Sequence, residues 1–508
     1  MSTFFWHDYE TFGLSPAFDR PAQFAGLRTD AELNPIGDAV MWYCQPALDY
    51  LPDPQSCLLT GITPQRCWRE GLPEREFAAR IHAELAREDT VGVGYNSLRF
   101  DDEVTRHLFW RNLIEPYGRE WQNGCGRWDL LDVMRAAHAL RPEGLNWPQR
   151  EGGGTSFRLE DLTRANGLDH GQAHDALSDV QATVALARLL RQAQPRLFDF
   201  FAGLRRKEAV IEQIQTVAAG GPFWHVSGRL SAAQGHMALV YPLAPHPTNK
   251  NELIVWDLAQ DPAELGELRA ADIRARLFVR SEDLPEGVQR LPIKTLHLNR
   301  SPIVVGNLKV LTAERAAHWG IDVAQRLRHA EAAARVAPLL AGLWPEVYAR
   351  ERDAGPVDVD GDLYGGFLSR ADRSLLDSLR ALEPAKMAAQ MGAQMAQRQP
   401  AFEDERLDEL LLRYIGRHEA SVLGGEALAR WQAHGRQRLW GEEGREGSGP
   451  APRTLTLAAY ARRIDELAES AFEKDDERAQ TLLEELADYA SAVEQAWDEG
   501  RSGWWPQG

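Results

Sequence analysis

A chain of 508 residues, 44% of them hydrophobic, is too long for one hydrophobic core and predicts about two to four domains. It has no run of about 20 apolar residues, which argues against a membrane span, and we expect no secretory signal because no basic segment precedes an apolar one. The net charge of −18 argues against a nucleic-acid partner, but residues 455–500 alone carry 13 acidic and 4 basic residues, so other surfaces can still be locally positive.

Residues 1–194 have the pattern of an α/β domain. Short apolar runs bounded by Gly, Pro or Asp predict strands, and apolar residues spaced three and four apart predict helices. Several strands followed mainly by helices indicate a central sheet flanked by helices. The predicted strands are 3–6, 22–27, 39–44 and 91–95, and the predicted helices are 76–87, 102–113, 129–140, 158–166 and 175–191.

Residues 195–349 change to short strand-like segments separated by turns rich in Pro and Asn. They predict a small β-barrel or sandwich, followed by a helix over 322–342. The strand-like segments are 223–226, 237–241, 253–256 and 303–305.

Residues 350–508 are mostly helical in pattern. The segment 358–362 alternates Asp with Val and Gly, but Leu363 and Ser369 stand where a calcium-binding EF-hand needs glycine and an acid, so we predict a turn. A flexible surface loop is predicted at 447–452. An amphipathic helix is predicted from the spacing of Leu482, Leu486, Tyr489, Val493 and Trp497.

The four cysteines show neither CxxC pairing nor zinc-site spacing. We therefore expect reduced structural thiols in a cytoplasmic protein, and we expect a monomer. The cysteines are Cys44, Cys57, Cys67 and Cys125.

Two carboxylates, Asp8 and Glu10, stand at the end of the first predicted strand. Residues two apart on a strand point to the same side, so the two carboxylates converge. Burying like charges together is unfavourable unless cations neutralise them, and Mg²⁺ or Mn²⁺ prefer such oxygen ligands. A solvated strand end is the alternative interpretation.

Acidic and basic residues further along the chain favour the metal interpretation. Asp101 follows a predicted strand, where α/β sheets bind ligands, whereas an N-cap or first-turn position that stabilises the helix is the better interpretation of Asp102. His174 and Asp179 lie at the start of a predicted helix, for which Asp175 is the better cap. A single histidine is more often hydrogen-bonded in a structural role or exposed to solvent than catalytic. A histidine five residues before an aspartate, in a chain that also carries the acids named above, is a much rarer arrangement.

These positions resemble the three exonuclease motifs of the DEDDh branch of the DEDD superfamily. The motifs are Asp8-x-Glu10, Tyr95-Asn96 through Phe100-Asp101, and His174-x₄-Asp179. The wider chain resembles the bacterial exonuclease I family, with further matching stretches at 7–13, 19–24, 99–106, 128–135, 156–160, 195–199 and 225–228.

The resemblance implies three domains: a ribonuclease H-like α/β exonuclease domain (1–194), an SH3-like β-barrel domain with an appended helix (195–349) and a C-terminal α-helical domain (350–508). It implies hydrolysis of single-stranded DNA from the 3′ end to 5′-mononucleotides, in DNA repair and recombination. The second and third domains would close around the strand, which would explain processive digestion and the exclusion of duplex DNA.

The resemblance also implies a two-metal mechanism with two Mg²⁺ ions, or Mn²⁺ in their place. Asp8, Glu10 and Asp179 would hold the metal nearest the attacking water. Asp8 would share the second metal with Asp101. His174 would accept the proton of the water, since an imidazole with a pKa of about 6.5 suits this task at neutral pH.

Candidate DNA contacts are basic or aromatic residues that flank this site, because single strands bind in positive grooves and stack on aromatic rings. Core packing is the alternative for each aromatic residue. Arg158 resembles a family position that contacts the substrate end. The full set of candidates is Glu10, Arg106, Tyr117, Trp121, Arg135 and Arg158 in the first domain and Lys207 and Lys250 in the second.

The family also binds the acidic, apolar C-terminal tail of single-strand-binding protein, which requires basic residues beside an apolar pocket. Arg141 matches one such family position. His318 and Trp319 stand where a more basic patch is expected.

Two other functions fit parts of the pattern. An exoribonuclease or a polymerase proofreading subunit shares the DEDDh motifs, but neither needs two further domains of this kind. A non-catalytic binding protein on an inactive nuclease fold usually lacks one or more metal carboxylates, and all of them are present here.

Overall fold

The structure is a computed structural model of the chain and describes residues 2–168, 171, 175–215, 220–349, 357–397, 401–441 and 454–500. Two of the predictions lie outside the described residues, namely the site residue His174 and the loop at 447–452.

The first part of the chain forms a mixed sheet of six strands flanked by helices. The strands are β1 (Thr3–Thr11), β2 (Pro21–Thr29), β3 (Val40–Gln45), β4 (Leu72–Pro73), β5 (Thr90–Gly94) and β6 (Gly126–Asp129). Their order is β4-β3-β2-β1-β5-β6, in which β1 pairs antiparallel with β2 and parallel with β5. The helices are α1 (Pro54–Thr60), α2 (Pro64–Glu70), α3 (Glu74–Leu85), α4 (Asp101–Arg111), α5 (Leu130–Leu140), α6 (Leu159–Ala165) and α7 (Ala176–Ala193).

Every strand and helix predicted for this part is present, with ends shifted by a few residues. The strand β1 is longer than predicted because its pairing with β2 continues through Glu10, so the two carboxylates lie within the strand and not at its end. The helices α1 and α2 were not predicted. Neither buries a large apolar side chain, only a proline and a cysteine each, although Asp53 and Thr63 cap them and Pro54 and Pro64 begin them.

The second part is a curled antiparallel sheet of five strands with helices beside it. The strands are β7 (Phe223–Val226), β8 (Met237–Pro245), β9 (Glu252–Asp257), β10 (Ile293–His297) and β11 (Ile303–Val305), in the order β10-β9-β8-β7-β11. The strand β10 was not predicted, because its buried residues Ile293 and Leu296 are three apart and break the alternation expected of a strand. The helices are α8 (Pro195–Gly203), α9 (Lys207–Gln215), α10 (Ala270–Phe278), α11 (Ala313–His318), α12 (Val323–Leu340) and α13 (Trp344–Val347).

The third part is helical, as predicted. Its last helix contains the predicted amphipathic pattern and buries Leu486, Tyr489 and Val493. No helix in the described ranges combines the length and the apolar character needed to cross a bilayer. The helices are α14 (Arg370–Arg380), α15 (Pro384–Gln397), α16 (Arg406–Glu419), α17 (Gly425–Trp440), α18 (Leu457–Glu473) and α19 (Glu477–Asp498).

Shared hydrophobic cores join the three parts. One core contains residues of the first and second parts, including Trp128 and Trp224. Another packs Tyr460 and Tyr489 of the third part against Cys57 and Cys67 of the first. The four cysteines are free thiols, and three of them are buried, so they contribute to packing and not to cross-links.

A buried ionic network also connects the third part to the first. The segment 358–362 is a turn, as predicted, with the amide of Gly361 donating to the carbonyl of Asp358 at 2.9 Å. The carboxylate of Asp360 in this turn is fully buried among four guanidinium groups. Its oxygens lie 2.9 Å from Arg417, 3.2 Å from Arg438, 3.3 Å from Arg413 and 3.8 Å from Arg20.

The same network contains Asp49 of the first part, whose carboxylate lies 2.9 Å from Arg417 and 3.3 Å from His434. Burial alone would raise the pKa of Asp49 and of Asp360, but the surrounding cations, Arg417 foremost, hold both well below their usual range. Asp49, Asp360 and His434 are close enough to ligate a metal. Because guanidinium groups already neutralise the two carboxylates, we assign Asp49, Asp360 and His434 to the ionic network and not to a metal site.

Candidate active site

Three of the predicted metal ligands meet at the centre of the first sheet. Oxygens of Asp8, Glu10 and Asp179 lie within 4.8 Å of one another. Asp8 and Glu10 point to the same side of β1 because they are two residues apart. Asp179 comes from the first turn of α7, which packs against β1 and β2. We call these three residues the carboxylate cluster.

The fourth predicted ligand, Asp101, is the first residue of α4 and is buried. Its Oδ1 accepts a hydrogen bond from the amide of Tyr9 at 3.2 Å, and its carbonyl accepts one from the hydroxyl of Thr105 at 2.8 Å. The strand β5, which precedes α4, runs parallel to β1, so both deliver their acids to the same edge of the sheet.

The electrostatics of these acids are dominated by burial and by one another. Burial raises the pKa of Asp8 well above its usual range, and the charges of Asp101, Asp179 and Glu10 raise it further. Burial, followed by Asp179 and Asp101, raises the pKa of Glu10 to about 8. Burial likewise raises the pKa of Asp101. A divalent cation with oxygen ligands would relieve this repulsion, so the residues present fit a metal site.

The two aspartates interpreted as helix caps have different roles. Asp175 caps α7, because its carboxylate accepts a hydrogen bond from the amide of Ser178 at 3.2 Å. Asp102 lies in the first turn of α4, but its buried carboxylate pairs with Arg119 and, at 3.1 Å, with Arg127. The sequence did not predict these ion pairs.

The candidate DNA contacts include side chains that are free to meet a ligand. Trp121 is 66% exposed, and the side chain of Arg158 is 75% exposed, 3.5 Å from Glu160. Lys250 is also exposed, in the turn between β8 and β9.

Arg106 differs, because it is buried and bonded within the protein. Its guanidinium makes two hydrogen bonds to the carboxylate of Glu120, at 2.7 and 2.9 Å, and one to the hydroxyl of Tyr364 at 3.0 Å. In this structure the guanidinium therefore has a structural role, and the DNA contact at Arg106 stays a prediction.

The remaining candidates are partly buried. The ring of Tyr117 lies 5.3 Å from the guanidinium carbon of Arg106. Arg135 pairs with Asp132 and lies 5.7 Å from the ring of Phe157. Lys207 donates to the side-chain oxygen of Asn251 at 2.6 Å.

Two exposed aromatic residues of the third part are further candidate DNA contacts that the sequence did not predict. Phe367 is 88% exposed, and its ring centroid lies 5.9 Å from that of Tyr117. Tyr364 is 57% exposed and bonds to Glu103 of α4. Their position on either side of two glycines, at 364–367, was a usable signal, because a glycine-rich loop displays its aromatic residues to solvent.

The predicted partner contact, Arg141, follows α5 and donates to the carbonyl of Val310 at 3.0 Å. Beside it, Arg315 of α11 donates to the carbonyls of His138 and Ala139 at 2.6 and 3.0 Å, and its guanidinium carbon lies 5.2 Å from the ring of Trp319. His318 is exposed. Arg315 was also missed, although it lies one helical turn before Trp319 in the sequence.

Family models match three consecutive stretches of the chain. They describe an exonuclease over residues 5–187, an exonuclease I SH3-like domain over 205–350 and an exonuclease I C-terminal domain over 357–493. This order is the one predicted from the sequence.

Curated relatives and solved structures agree with these matches. Exodeoxyribonuclease I of Escherichia coli K12 is 41% identical over 494 residues, which is 97% of this chain and 98% of that protein. The crystal structure of E. coli exonuclease I in complex with a dA16 oligonucleotide has a TM-score of 0.87 at 40% identity and covers 97% of this chain and 100% of that one. A structure described as an ExoI/SSB-Ct complex has a TM-score of 0.84 at 39% identity, with coverage of 97% and 99%.

Proposed function

Because this chain belongs to the exonuclease I family, we propose that it hydrolyses single-stranded DNA from the 3′ end and releases 5′-mononucleotides. We further propose that it does so in DNA repair and recombination in the cytoplasm. The observation that carries the proposal is the carboxylate cluster, whose oxygens lie within 4.8 Å of one another beside the buried Asp101.

The carboxylates are assigned to two metal ions, with Mg²⁺ as the expected ion and Mn²⁺ as a substitute. Asp8, Glu10 and Asp179 would hold one ion, and Asp8 and Asp101 would hold the other. When bound, such ions supply an activated water and stabilise charge on the leaving oxygen. The raised pKa values of Asp8, Glu10 and Asp101 support this assignment, because they reflect negative charge that a cation would neutralise.

His174 is assigned as the general base that takes the proton from the attacking water. It directly precedes Asp175, the cap of α7, and stands five residues before Asp179 in the chain. An unperturbed imidazole, with a pKa of about 6.5, accepts and releases a proton near neutral pH.

The substrate path is assigned to exposed aromatic and basic residues. Trp121 and Phe367 present aromatic faces, each of which could contribute about 1–3 kcal/mol by stacking on a base. Arg158 and Lys250 supply positive charge for the phosphates. Since Trp121 belongs to the first domain and Phe367 to the third, a strand that contacts both would be held by two domains, and we propose that this arrangement disfavours duplex DNA.

Oligonucleotides of equal length test this function. With Mg²⁺, single-stranded DNA labelled at its 3′ end should release labelled mononucleotide at once, and the 5′-labelled strand should shorten gradually. RNA of the same sequence and blunt duplex DNA should be digested far more slowly. Early release of a 5′ label, or RNA digestion at the rate of DNA, would contradict the proposal.

We also propose that the chain binds the acidic, apolar C-terminal tail of single-strand-binding protein, as the ExoI/SSB-Ct structure describes for a relative. Arg315 lies 5.2 Å from the ring of Trp319, and Arg141 donates to the carbonyl of Val310, three residues before α11, so cationic groups lie near an apolar ring. Burial lowers the pKa of Arg315, while Glu143 and Glu314 raise it, so acidic residues also lie near this surface.

Titration with the tail peptide tests this partner. Arg141→Ala should weaken binding at least about tenfold, because a hydrogen bond to a charged group contributes about 1.5–3 kcal/mol. Arg269→Ala is the matched control, since that arginine has an 85% exposed side chain elsewhere in the second domain. Unchanged binding by Arg141→Ala, or equal loss in both variants, would rule out this surface.

A further inference from the structure

A buried glutamine on the strand next to β1 contacts the helix that carries Asp179. Gln23 lies on β2 directly opposite Glu10 and is 1% exposed. Its Nε2 donates to Oδ1 of Asp175 at 2.9 Å, and its Oε1 accepts from the amide of Ala176 at 3.0 Å. Both contacts fall at the start of α7.

These contacts connect the strand to the first turn of the helix. Asp175 caps α7 through the amide of Ser178, and its carbonyl accepts from the amide of Asp179 at 3.1 Å. The end of α7 that Gln23 holds is therefore one helical turn from the Asp179 carboxylate. The partner strand β1 carries Asp8 and Glu10, so Gln23 joins the two backbone elements that form the carboxylate cluster.

We propose that Gln23 is a positioning residue for the metal site: its carboxamide fixes the start of α7 against β2, so that Asp179 stays within ligand distance of Asp8 and Glu10. The inference rests on the proposed function, because it assumes that the carboxylate cluster holds metal. Groups that orient metal ligands commonly affect metal affinity about 10- to 100-fold.

A carboxamide suits this position because it donates and accepts at once. The Nε2 group must face the carboxylate of Asp175, and Oε1 must face the amide of Ala176. Its Nε2 also donates to the hydroxyl of Tyr43 at 3.3 Å. Gln23→Glu would place a second carboxylate against that of Asp175, and Gln23→Met would remove all three hydrogen bonds at nearly unchanged volume.

Gln45 offers a matched control on β3 of the same sheet. Its Nε2 donates to the carbonyls of Trp68 and Gly71, each at 3.1 Å, and so holds the end of α2. Gln45→Glu removes the same donors from a partly buried glutamine without touching α7. Any change of Mn²⁺ binding in Gln45→Glu therefore comes from a general loss of packing and stability, and not from a displacement of α7.

The test measures Mn²⁺ binding by electron paramagnetic resonance, turnover in Mg²⁺ and the urea midpoint for each full-length variant. Gln23→Glu should weaken Mn²⁺ binding about 10- to 100-fold and lower kcat about 100-fold, with little change in KM. Gln45→Glu should keep wild-type Mn²⁺ affinity. Gln23→Met should also weaken Mn²⁺ binding. If Gln23→Glu does not fold, the Mn²⁺ affinity of Gln23→Met decides whether Gln23 positions the metal ligands.

A double variant tests the hydrogen bond itself. In Gln23→Glu combined with Asp175→Asn, the new carboxamide can donate to the new carboxylate while still capping α7, and the net charge is unchanged. Mn²⁺ binding should recover at least tenfold relative to Gln23→Glu. No recovery, wild-type Mn²⁺ affinity in both single variants at Gln23, or an equal loss in Gln45→Glu would overturn the inference.

Asp179→Asn is measured in parallel to separate this inference from the proposed function. If Asp179→Asn loses Mn²⁺ while the Gln23 variants keep it, only the positioning inference fails. If Asp179→Asn keeps both Mn²⁺ and turnover, the proposed metal site itself is wrong.

Discussion

Asp179→Asn is expected to lower the turnover of single-stranded DNA at least about 1000-fold, while the DNA still binds. The ions assigned to this site contribute several kcal/mol of transition-state stabilisation, and each 1.36 kcal/mol corresponds to a factor of ten in rate. Asp8→Asn should have an effect of at least this size, since Asp8 is assigned to both ions. The DNA contacts proposed at Trp121 and Phe367 do not involve these carboxylates, so affinity should persist.

Single-turnover digestion gives the rate, and fluorescence anisotropy of a labelled strand gives the affinity. Asp199→Asn is the matched control, because that aspartate lies on α8 with a side chain 66% exposed. It should digest DNA at the wild-type rate. A variant at Asp179 or Asp8 with more than about a tenth of wild-type turnover would contradict the assignment of metal ligands.

Asp360→Asn is expected to lower the free energy of unfolding by about 3–5 kcal/mol, the effect of removing one partner from a buried ion pair. The carboxylate of Asp360 neutralises guanidinium groups from the first and third domains. Its loss leaves these cations facing one another in a buried site. Urea denaturation measures the change. A loss of this size is a large part of the stability of an ordinary domain, about 5–15 kcal/mol.

Asp362→Asn is the control for the ionic network, since it lies in the same turn with a 25% exposed side chain, 3.7 Å from Arg406. It should change the unfolding free energy by less than about 1 kcal/mol. Equal effects at Asp360 and Asp362 would contradict a special role for the buried carboxylate.

The pH dependence of the Asp360 effect has a defined sign. The folded protein holds the pKa of Asp360 well below its usual range, so its contribution to stability is fully present above the unfolded pKa of about 3.9. That contribution is lost as the pH falls from there towards the folded pKa. The difference between wild type and Asp360→Asn should therefore be constant from about pH 5 to 8 and shrink only below about pH 4.

The geometry of the carboxylate cluster could be predicted from local rules. A period of two along a strand places Asp8 and Glu10 on one side of β1, and helix capping places Asp175 just before α7. Parallel strands bring Asp101 to the edge of the sheet near Asp8. Each of these inferences depends on residues close in sequence or on a general rule of sheets.

The ionic network could not be predicted, because its partners are distant in sequence. The turn at 358–362 looks like an ordinary exposed turn, and only folding brings Arg20 and Arg417 around Asp360. For the same reason, the sequence did not predict that Glu120, 14 residues further along the chain, binds the guanidinium of Arg106. The helices α1 and α2 escaped prediction because each buries only a proline and a cysteine and so lacks a stripe of large buried apolar residues.

The most direct measurement is a count of Mn²⁺ ions bound per chain, by electron paramagnetic resonance, with a hydrolysis-resistant phosphorothioate strand present. Wild type is predicted to bind about two ions in the site, the number a two-metal mechanism requires. Asp179→Asn should bind fewer, with the strand held as tightly as before. Wild-type protein that binds no ion, or an Asp179→Asn variant that binds the same number with the same affinity, would contradict a metal site at the carboxylate cluster.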